Sequence, residues 1–192
     1  MKKLLFISIL ALLPFFASAQ KIDYSTVDDF TGKTVIRTNW TRFEAKTPSS
    51  VKVGSRKIFN SYFMFRYEEG HVYLHVEWIG SVMTMKKGSE FQLKLKDGSV
   101  STITAVDDFI ANTDVYTAVN FFKSEDDIGS KNILHTVYEG DLSQLSDLNL
   151  PEKLRISSVY GSEVFDIDSK NARRLTKAYK LISDEIKKSE SK

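Results

Sequence analysis

Cysteine is absent from the 192-residue sequence. Disulfide bonds and a thiol nucleophile are therefore excluded, and so is attachment of a lipid to a cysteine at the start of the mature chain. A domain of about 170 residues does not need disulfides, because at that length it buries roughly 70 % of the surface of its unfolded chain. Stability must then come from an ordinary apolar core.

Recognisable catalytic motifs are also missing. The sequence contains no Gly-x-Ser-x-Gly elbow and no glycine-rich phosphate-binding loop. The Ser-x-x-Lys pattern occurs, as from Ser49 to Lys52, without the motifs that accompany it in hydrolases. We therefore expect no catalytic residue and no cofactor. A hydrolase without a recognisable motif is the third of the three functional interpretations developed below.

Only one long apolar run occurs, and it lies near the N-terminus. Two lysines precede the apolar residues 4–16, and small residues follow as far as Ala19. This order is typical of a cleavable secretory signal, and the run of about 13 residues is shorter than the roughly 20 of a transmembrane helix. We predict that residues 1–19 are a signal peptide and that residues 20–192 form a single β-rich domain. The mature chain is expected to have no transmembrane span and to be periplasmic or secreted, and not a lipoprotein.

The charge of the mature chain does not favour a nucleic-acid partner. The predicted signal contains two of the 27 basic residues and none of the 25 acidic ones, so the mature chain is neutral. Segment 170–192 contains eight basic and three acidic residues, which leaves the rest of the mature chain acidic. We expect no nucleic acid as partner and interpret the basic segment as a solvated helix attracted to its own domain.

Alternation of apolar residues predicts a β-hairpin with a two-residue turn at Glu69-Gly70. In this register every second side chain lies on the same face, and that face is apolar. The facing pairs are Tyr67 with Val72, Phe65 with Leu74, Phe63 with Val76, and Ser61 with Trp78.

The opposite face of this hairpin is the candidate binding surface. Aromatic, methionine and arginine side chains with few competing charges are typical of contact surfaces. The alternative is that a second sheet or the C-terminal helix covers this face. The six residues, in facing pairs, are Tyr62 with Glu77, Met64 with His75, and Arg66 with Tyr73.

Further strands are predicted on both sides of the hairpin, after an irregular lead-in over 22–33. Asp97-Gly98 is expected to form the turn of a second hairpin, Gly161-Ser162 the turn of a third, and 141–148 a short helical turn. The predicted strands outside the first hairpin are 34–44, 91–95, 99–106, 115–122, 133–138, 154–160 and 163–167.

The C-terminal segment predicts a long amphipathic helix over about 169–188, because apolar residues recur there at three- and four-residue intervals. The predicted fold class is α+β, mainly antiparallel β. We expect a sandwich or strongly curved sheet packed with this one C-terminal helix, and the alternative is a closed, calycin-like barrel.

Histidines and carboxylates do not predict a metal site. His71 and His75 are four residues apart, which on a strand separates them by roughly 13 Å, too far to share one ion. Asp166 and Asp168 have the opening spacing of an EF-hand loop, but the glycine that its sharp turn requires is missing. The acidic residues 125–127 are interpreted as solvated turn residues. We therefore expect no metal.

The segment from Asp29 to Lys33, Asp-Phe-Thr-Gly-Lys, resembles the start of lipocalins. The tryptophan that follows the glycine in that family is absent, and Thr34 stands nearby instead. The resemblance implies a β-barrel with a late helix that carries apolar ligands, and it transfers no ligand residue to this chain.

Together these patterns favour an exported soluble protein that acts as a non-catalytic envelope or secreted binding module. An envelope protein, a glycan or a small apolar ligand is the expected kind of partner. The alternative is a calycin-like carrier of a small apolar ligand, which requires an internal cavity.

Overall fold

The computed structural model describes residues 20–46, 58–79, 83–118 and 127–191. These residues form strands β1 (Ile22–Val27), β2 (Thr34–Thr38), β3 (Thr41–Lys46), β4 (Ile58–Glu68), β5 (His71–Ile79), β6 (Thr84–Met85), β7 (Glu90–Leu95), β8 (Val100–Ala105), β9 (Phe109–Ile110), β10 (Asn112–Ala118), β11 (Asp127–Glu139), β12 (Pro151–Ser158) and β13 (Gly161–Ile167), followed by helix α1 (Ser169–Glu190).

Eight of the strands close into a barrel. Their order around the ring is β3, β4, β5, β11, β8, β7, β12, β13 and back to β3, and every neighbouring pair is antiparallel. The predicted class, mainly antiparallel β with one C-terminal helix, is confirmed. The strongly curved sheet of the main prediction closes on itself, which gives the barrel of the alternative.

The barrel consists of two four-stranded sheets that meet at two narrow seams. One sheet contains β3, β4, β5 and β11, and the other contains β8, β7, β12 and β13. β3 meets β13 through Ala45 and Lys46, and β8 meets β11 through Thr104 and Ala105. Each seam has two residue pairs in the described chain, against eight between β4 and β5. The structure therefore has the layers of a sandwich and the closure of a barrel.

Side chains fill the barrel interior because strand residues alternate between inside and outside. Buried Trp78 is satisfied there, since its Nε1 donates to Thr136 Oγ1 at 2.9 Å. An interior cavity has a volume of about 10 Å³, roughly that of one water probe. Such a volume does not favour the carrier alternative. The cavity is lined by Phe43, Ser61, Phe63, Leu74, Val76, Trp78, Phe91 and Leu175.

Helix α1 packs across one end of the barrel. Asp168 caps its start by accepting a hydrogen bond from Asn171 N at 2.8 Å. Leu175 reaches the interior cavity, and the ring of Tyr179 lies 5.6 Å from that of Phe65. In the described part of the chain, no helix combines the length and apolarity needed to cross a membrane.

Two further strands are attached outside the ring. β4 is longer than the barrel wall, so β3 pairs with its first part and β2 with its last part. Thr38 bridges the change of partner, because its hydroxyl accepts a hydrogen bond from Phe65 N at 2.9 Å. β1 continues the sheet beyond β2, and β10 pairs with the first half of β11.

Four local predictions are wrong. The lead-in forms strand β1, and the single strand predicted over 34–44 is two strands interrupted at Asn39 and Trp40. The third hairpin turns at Val159-Tyr160, so Gly161 already belongs to the next strand. Segment 141–148 is not helical. The side chains of Asp141 and Ser146 accept hydrogen bonds from the backbone of Ser143 and Asn149, and each of these bonds closes an isolated turn. Its two leucines, Leu142 and Leu145, are nevertheless buried against the core.

The first and second predicted hairpins are confirmed, including the turns at Glu69-Gly70 and Asp97-Gly98. The predicted strand 115–122 overlaps β10, and its last four residues lie outside the described residues.

The likeness to lipocalins does not extend to the chain path. Lipocalins have up-and-down barrels, whereas this ring places β11 beside β5 and β13 beside β3. The segment that carries the resemblance is the turn between β1 and β2, where Phe30 is 99 % exposed.

Candidate functional site

The six residues of the predicted surface lie together on the outside of the barrel, on β4 and β5. Their predicted register is confirmed, since Tyr62 faces Glu77, Met64 faces His75, and Arg66 faces Tyr73. Their neighbours in the sequence point inward and form the core, as period two requires. Contact of this surface with a partner stays a prediction.

A third strand widens this surface. β11 runs beside β5, with His135 opposite Glu77, Val137 opposite His75, and Glu139 opposite Tyr73. The alternation within β11 buries Leu134, Thr136 and Tyr138 and leaves these three residues outside. With Trp40, described below, they complete what we call the outer patch: Trp40, Tyr62, Met64, Arg66, Tyr73, His75, Glu77, His135, Val137 and Glu139.

Trp40 reaches the outer patch from the connection between β2 and β3. Its ring meets that of His135 edge to face at 5.9 Å between centroids. Met64 is buried, with 6 % exposure, and the other five predicted residues are partly exposed. Within the described chain, therefore, no second sheet or helix covers the predicted face as a whole.

Two histidines meet near the middle of the outer patch. His75 Nδ1 and His135 Nε2 lie 3.2 Å apart, and the ring centroids are 5.4 Å apart with the planes tilted by 40°. The two residues are on adjacent strands and offset by one row of the register. Sixty positions separate them in the sequence, so local spacing contains no signal for this pair.

Burial of His75 keeps its imidazole neutral. Desolvation by burial is the main cause that lowers the pKa of His75 to about 4, and electrostatic repulsion from His135 and Arg66 adds to it. His75 is thus uncharged at neutral pH, and its two ring nitrogens provide one donor and one acceptor.

Charged pairs surround the histidines. Arg66 Nη2 lies 2.8 Å from Glu68 Oε2, and His71 Nδ1 lies 2.5 Å from Glu139 Oε1. The pKa of Tyr73 is raised, first by desolvation and then by the carboxylates of Glu139, Glu69 and Glu68. Tyr73 therefore stays a neutral hydroxyl that can donate and accept hydrogen bonds.

A shallow hollow of about 360 Å³ lies at one side of the outer patch. Three of the six predicted residues, Arg66, Tyr73 and His75, line it together with Glu68, Glu69 and Val137. Guanidinium, phenol, imidazole and carboxylate groups thus converge on one depression. This is the part of the patch with the greatest variety of hydrogen-bonding groups.

A second, larger groove of about 500 Å³ lies between α1 and the segment that follows β11. Leu145, Tyr179 and the buried Thr176 line it, and the Thr176 hydroxyl has no hydrogen-bond partner among the described residues. None of the six predicted residues contributes to this groove.

Comparison with protein-family models, curated proteins and solved structures gives no match. Function must then be argued from the geometry of the site.

The carboxylates considered for metals have other partners. Asp166 lies 3.6 Å from Lys153, and Asp168 caps the helix. Residues 125 and 126 lie outside the described residues. Across the described ranges, no group of three or more histidine, aspartate or glutamate side chains is arranged to hold a metal ion.

The outer patch combines aromatic rings, a guanidinium, two imidazoles and carboxylates on the convex side of a barrel. Small ligands are usually held in concave sites, whereas protein contacts use broader surfaces with aromatic and arginine anchors. Apart from the hollow, the outer patch has the geometry of a broad protein-contact surface.

Proposed function

We propose that this protein is an exported, non-catalytic binding module of the cell envelope or the surrounding medium, and that the outer patch is its contact surface. Tyr73 has a central part in this proposal, because it lies on the middle strand and lines the hollow. Arg66, its register partner, is the expected charged anchor.

The observation that carries the proposal is the difference in composition and burial between the two faces of β4 and β5. The inward face supplies fully buried aromatic and aliphatic side chains, including Phe65 and Trp78. The aromatic, arginine and histidine side chains of the outer patch are therefore not needed to fill the core. Simple polar residues would suit a water-facing sheet surface equally well. The presence of aromatic, arginine and histidine side chains there therefore supports a contact role.

An envelope protein is the favoured partner among the three kinds predicted from the sequence. A convex three-stranded surface fits a protein partner, because a small apolar ligand needs a pocket that encloses most of its surface. A glycan that stacks on Tyr62 or Tyr73 is an alternative outcome of the binding experiment.

Export is supported by the charged, apolar and small residues in the predicted signal. The two residues that directly follow the predicted cleavage point contact the rest of the domain. The Gln20 side chain donates to Arg174 O, and Lys21 N donates to Asn39 Oδ1 at 2.8 Å. Mass spectrometry of material from the producing cell should find a chain that starts at Gln20 outside the cytoplasm. An unprocessed chain in the cytoplasm would refute export.

Site-specific photo-cross-linking tests the contact surface. A photoreactive amino acid at position 73 should give one discrete adduct with an envelope protein in intact cells. The matched control is position 160, where Tyr160 is 77 % exposed on the turn between β12 and β13. Equal adducts from both positions, or none from position 73, would contradict the proposal.

Binding and turnover assays complete the test. With the captured partner purified, Arg66→Ala and Tyr73→Ala should each weaken binding by about tenfold or more, as central arginine and tyrosine anchors do. Tyr160→Ala should leave binding unchanged. Turnover of glycoside, ester or peptide substrates by the purified protein would contradict the non-catalytic part.

A further inference from the structure

The His75–His135 pair brings two imidazole nitrogens together on the outer patch. Its nitrogens, His75 Nδ1 and His135 Nε2, are 3.2 Å apart. Two nitrogens bound to one tetrahedral ion at about 2.0–2.1 Å would lie about 3.3 Å apart. The observed separation is close to the distance between two ligands of one ion.

We propose that His75 Nδ1 and His135 Nε2 together bind one divalent first-row transition ion, of the Zn²⁺ or Cu²⁺ class. Imidazole nitrogen is a preferred ligand of both ions. Solvent, or a donor group from a partner, fills the other coordination positions, as in zinc sites that keep an open position. The inference does not depend on the proposed binding partner.

The state of the two rings suits this role. A metal ligand must present a lone pair, and each neutral imidazole can present one at the nitrogen that faces the other ring. Coordination through Nδ1 of His75 leaves its proton on Nε2, and coordination through Nε2 of His135 leaves the proton on Nδ1. One tautomer of each ring thus satisfies the site.

Neighbouring residues hold the pair in place. β5 and β11 are joined by seven residue pairs, so the two Cα positions are fixed by the sheet. Trp40 supports His135 edge to face. Glu77 is the register partner of His135 and offers a nearby negative charge, while Arg66 opposes a cation and is itself paired with Glu68.

The third histidine of the chain is an internal control. His71 also lies on β5, but its Nδ1 is paired with Glu139 Oε1 at 2.5 Å, and it is not part of the pair. Since the chain contains only three histidines, each imidazole gives a signal that can be assigned by substitution.

Titration of the purified protein, without a histidine tag, with Zn²⁺ tests the site at pH 7. In ¹⁵N-labelled protein, the imidazole signals of His75 and His135 should shift together and saturate at one equivalent, while those of His71 stay in place. Parallel shifts of all three histidines, or shifts that do not saturate, would overturn the inference. This measurement needs no variant and so does not depend on the folding of one.

Variants then assign the ligands by affinity for Cu²⁺ and Zn²⁺. His75→Gln and His135→Gln should each weaken binding by about tenfold or more, and His71→Gln should leave it within about twofold. Near-ultraviolet circular dichroism verifies that each variant is folded. Equal losses for all three variants, or no loss for His135→Gln, would show that the ion does not bind between the two rings.

Discussion

His75 shows at the scale of one residue how the sheet alters side-chain chemistry. Its imidazole is packed among Met64, Val137 and His135, and its pKa falls to about 4 because burial penalises the charged form. An exposed histidine would change charge near pH 6.5. The outer patch therefore keeps one histidine neutral over the whole physiological pH range.

This shift predicts a pH-dependent stability. In the unfolded chain His75 gains a proton near pH 6.5, and in the folded chain only near pH 4, so between these values the unfolded state binds more protons. The free energy of unfolding should thus be fully maintained above about pH 6.5 and should fall as the pH drops toward 4. The full shift corresponds to about 3 kcal/mol, and solvent near the partly exposed ring should reduce this to about 1–2 kcal/mol.

Urea unfolding at several pH values checks this expectation. His75→Gln should flatten the dependence between pH 4 and 6.5, whereas Leu148→Ala, at an exposed apolar side chain, should preserve it. Identical pH profiles for the His75→Gln variant and the unaltered protein would disprove the assignment of this stability to His75.

At the scale of elements, the start of α1 connects the helix to the barrel seam. Asp168 accepts from Asn171 N at 2.8 Å, and the Asn171 side chain in turn accepts from Glu44 N of β3 at 3.3 Å. Arg174 Nη1 also donates to Arg42 O of β3 at 3.3 Å. Since α1 directly follows β13, these bonds join the two strands of the seam, which have two residue pairs between them in the described chain.

Removal of this cap should cost measurable stability. Asp168→Ala deletes the acceptor for Asn171 N and frees the Asn171 side chain, so the free energy of unfolding should fall by about 1 kcal/mol or somewhat more. Asp184→Ala, on the exposed face of the same helix, should change it by less than about 0.5 kcal/mol. Equal effects in thermal or urea unfolding would rule out a capping role.

The elements differ in how well the sequence predicts them. The β4–β5 hairpin was predicted in its register because a two-residue turn and a strict alternation leave only one pairing that buries Phe63 and Leu74 together. β1 escaped prediction because its residues are mostly exposed and lack an apolar alternation. The strand over 34–44 was divided because Asn39 and Trp40 direct the chain from β2 to β3, a change of sheet position that composition does not reveal.

The candidate site was predictable only within one hairpin. The alternation of side chains along β4 and β5 places its six residues on one outward face, and the alternation along β11 places His135 outward as well. The sequence does not predict that β5 pairs with β11, because pairing between strands far apart in the chain depends on the packing of the whole barrel. The position of Trp40 could not be predicted either, because Trp40 reaches the outer patch from the connection between β2 and β3 and not from a strand.

At the scale of the whole molecule, the two seams determine how firmly the barrel is closed. Lys46 and Asp166 face each other across the seam between β3 and β13, and neither is buried. Because the chain has no cysteine, a pair of cysteines introduced there would have no competing partner.

The double variant Lys46→Cys/Asp166→Cys should therefore form a disulfide and stabilise the protein. A cross-link that closes a loop of this length contributes about 5 kcal/mol from chain entropy, less any strain. The matched control is Glu68→Cys/His71→Cys across the β4–β5 turn, where the loop is short and the strands are already paired. Comparison of oxidised and reduced forms in urea should show a larger gain at the seam. A gain no larger than that of the control would mean that the seam is not a weak point.

The same seam sets the order in which the barrel can be completed. Glu44 N and the Asn171 side chain that binds it are 127 residues apart in the chain. Until β13 and the start of α1 are in place, β3 presents a free strand edge, the kind of edge on which a strand from another molecule can add. Docking of the C-terminal residues is thus the event that covers this edge within the same chain.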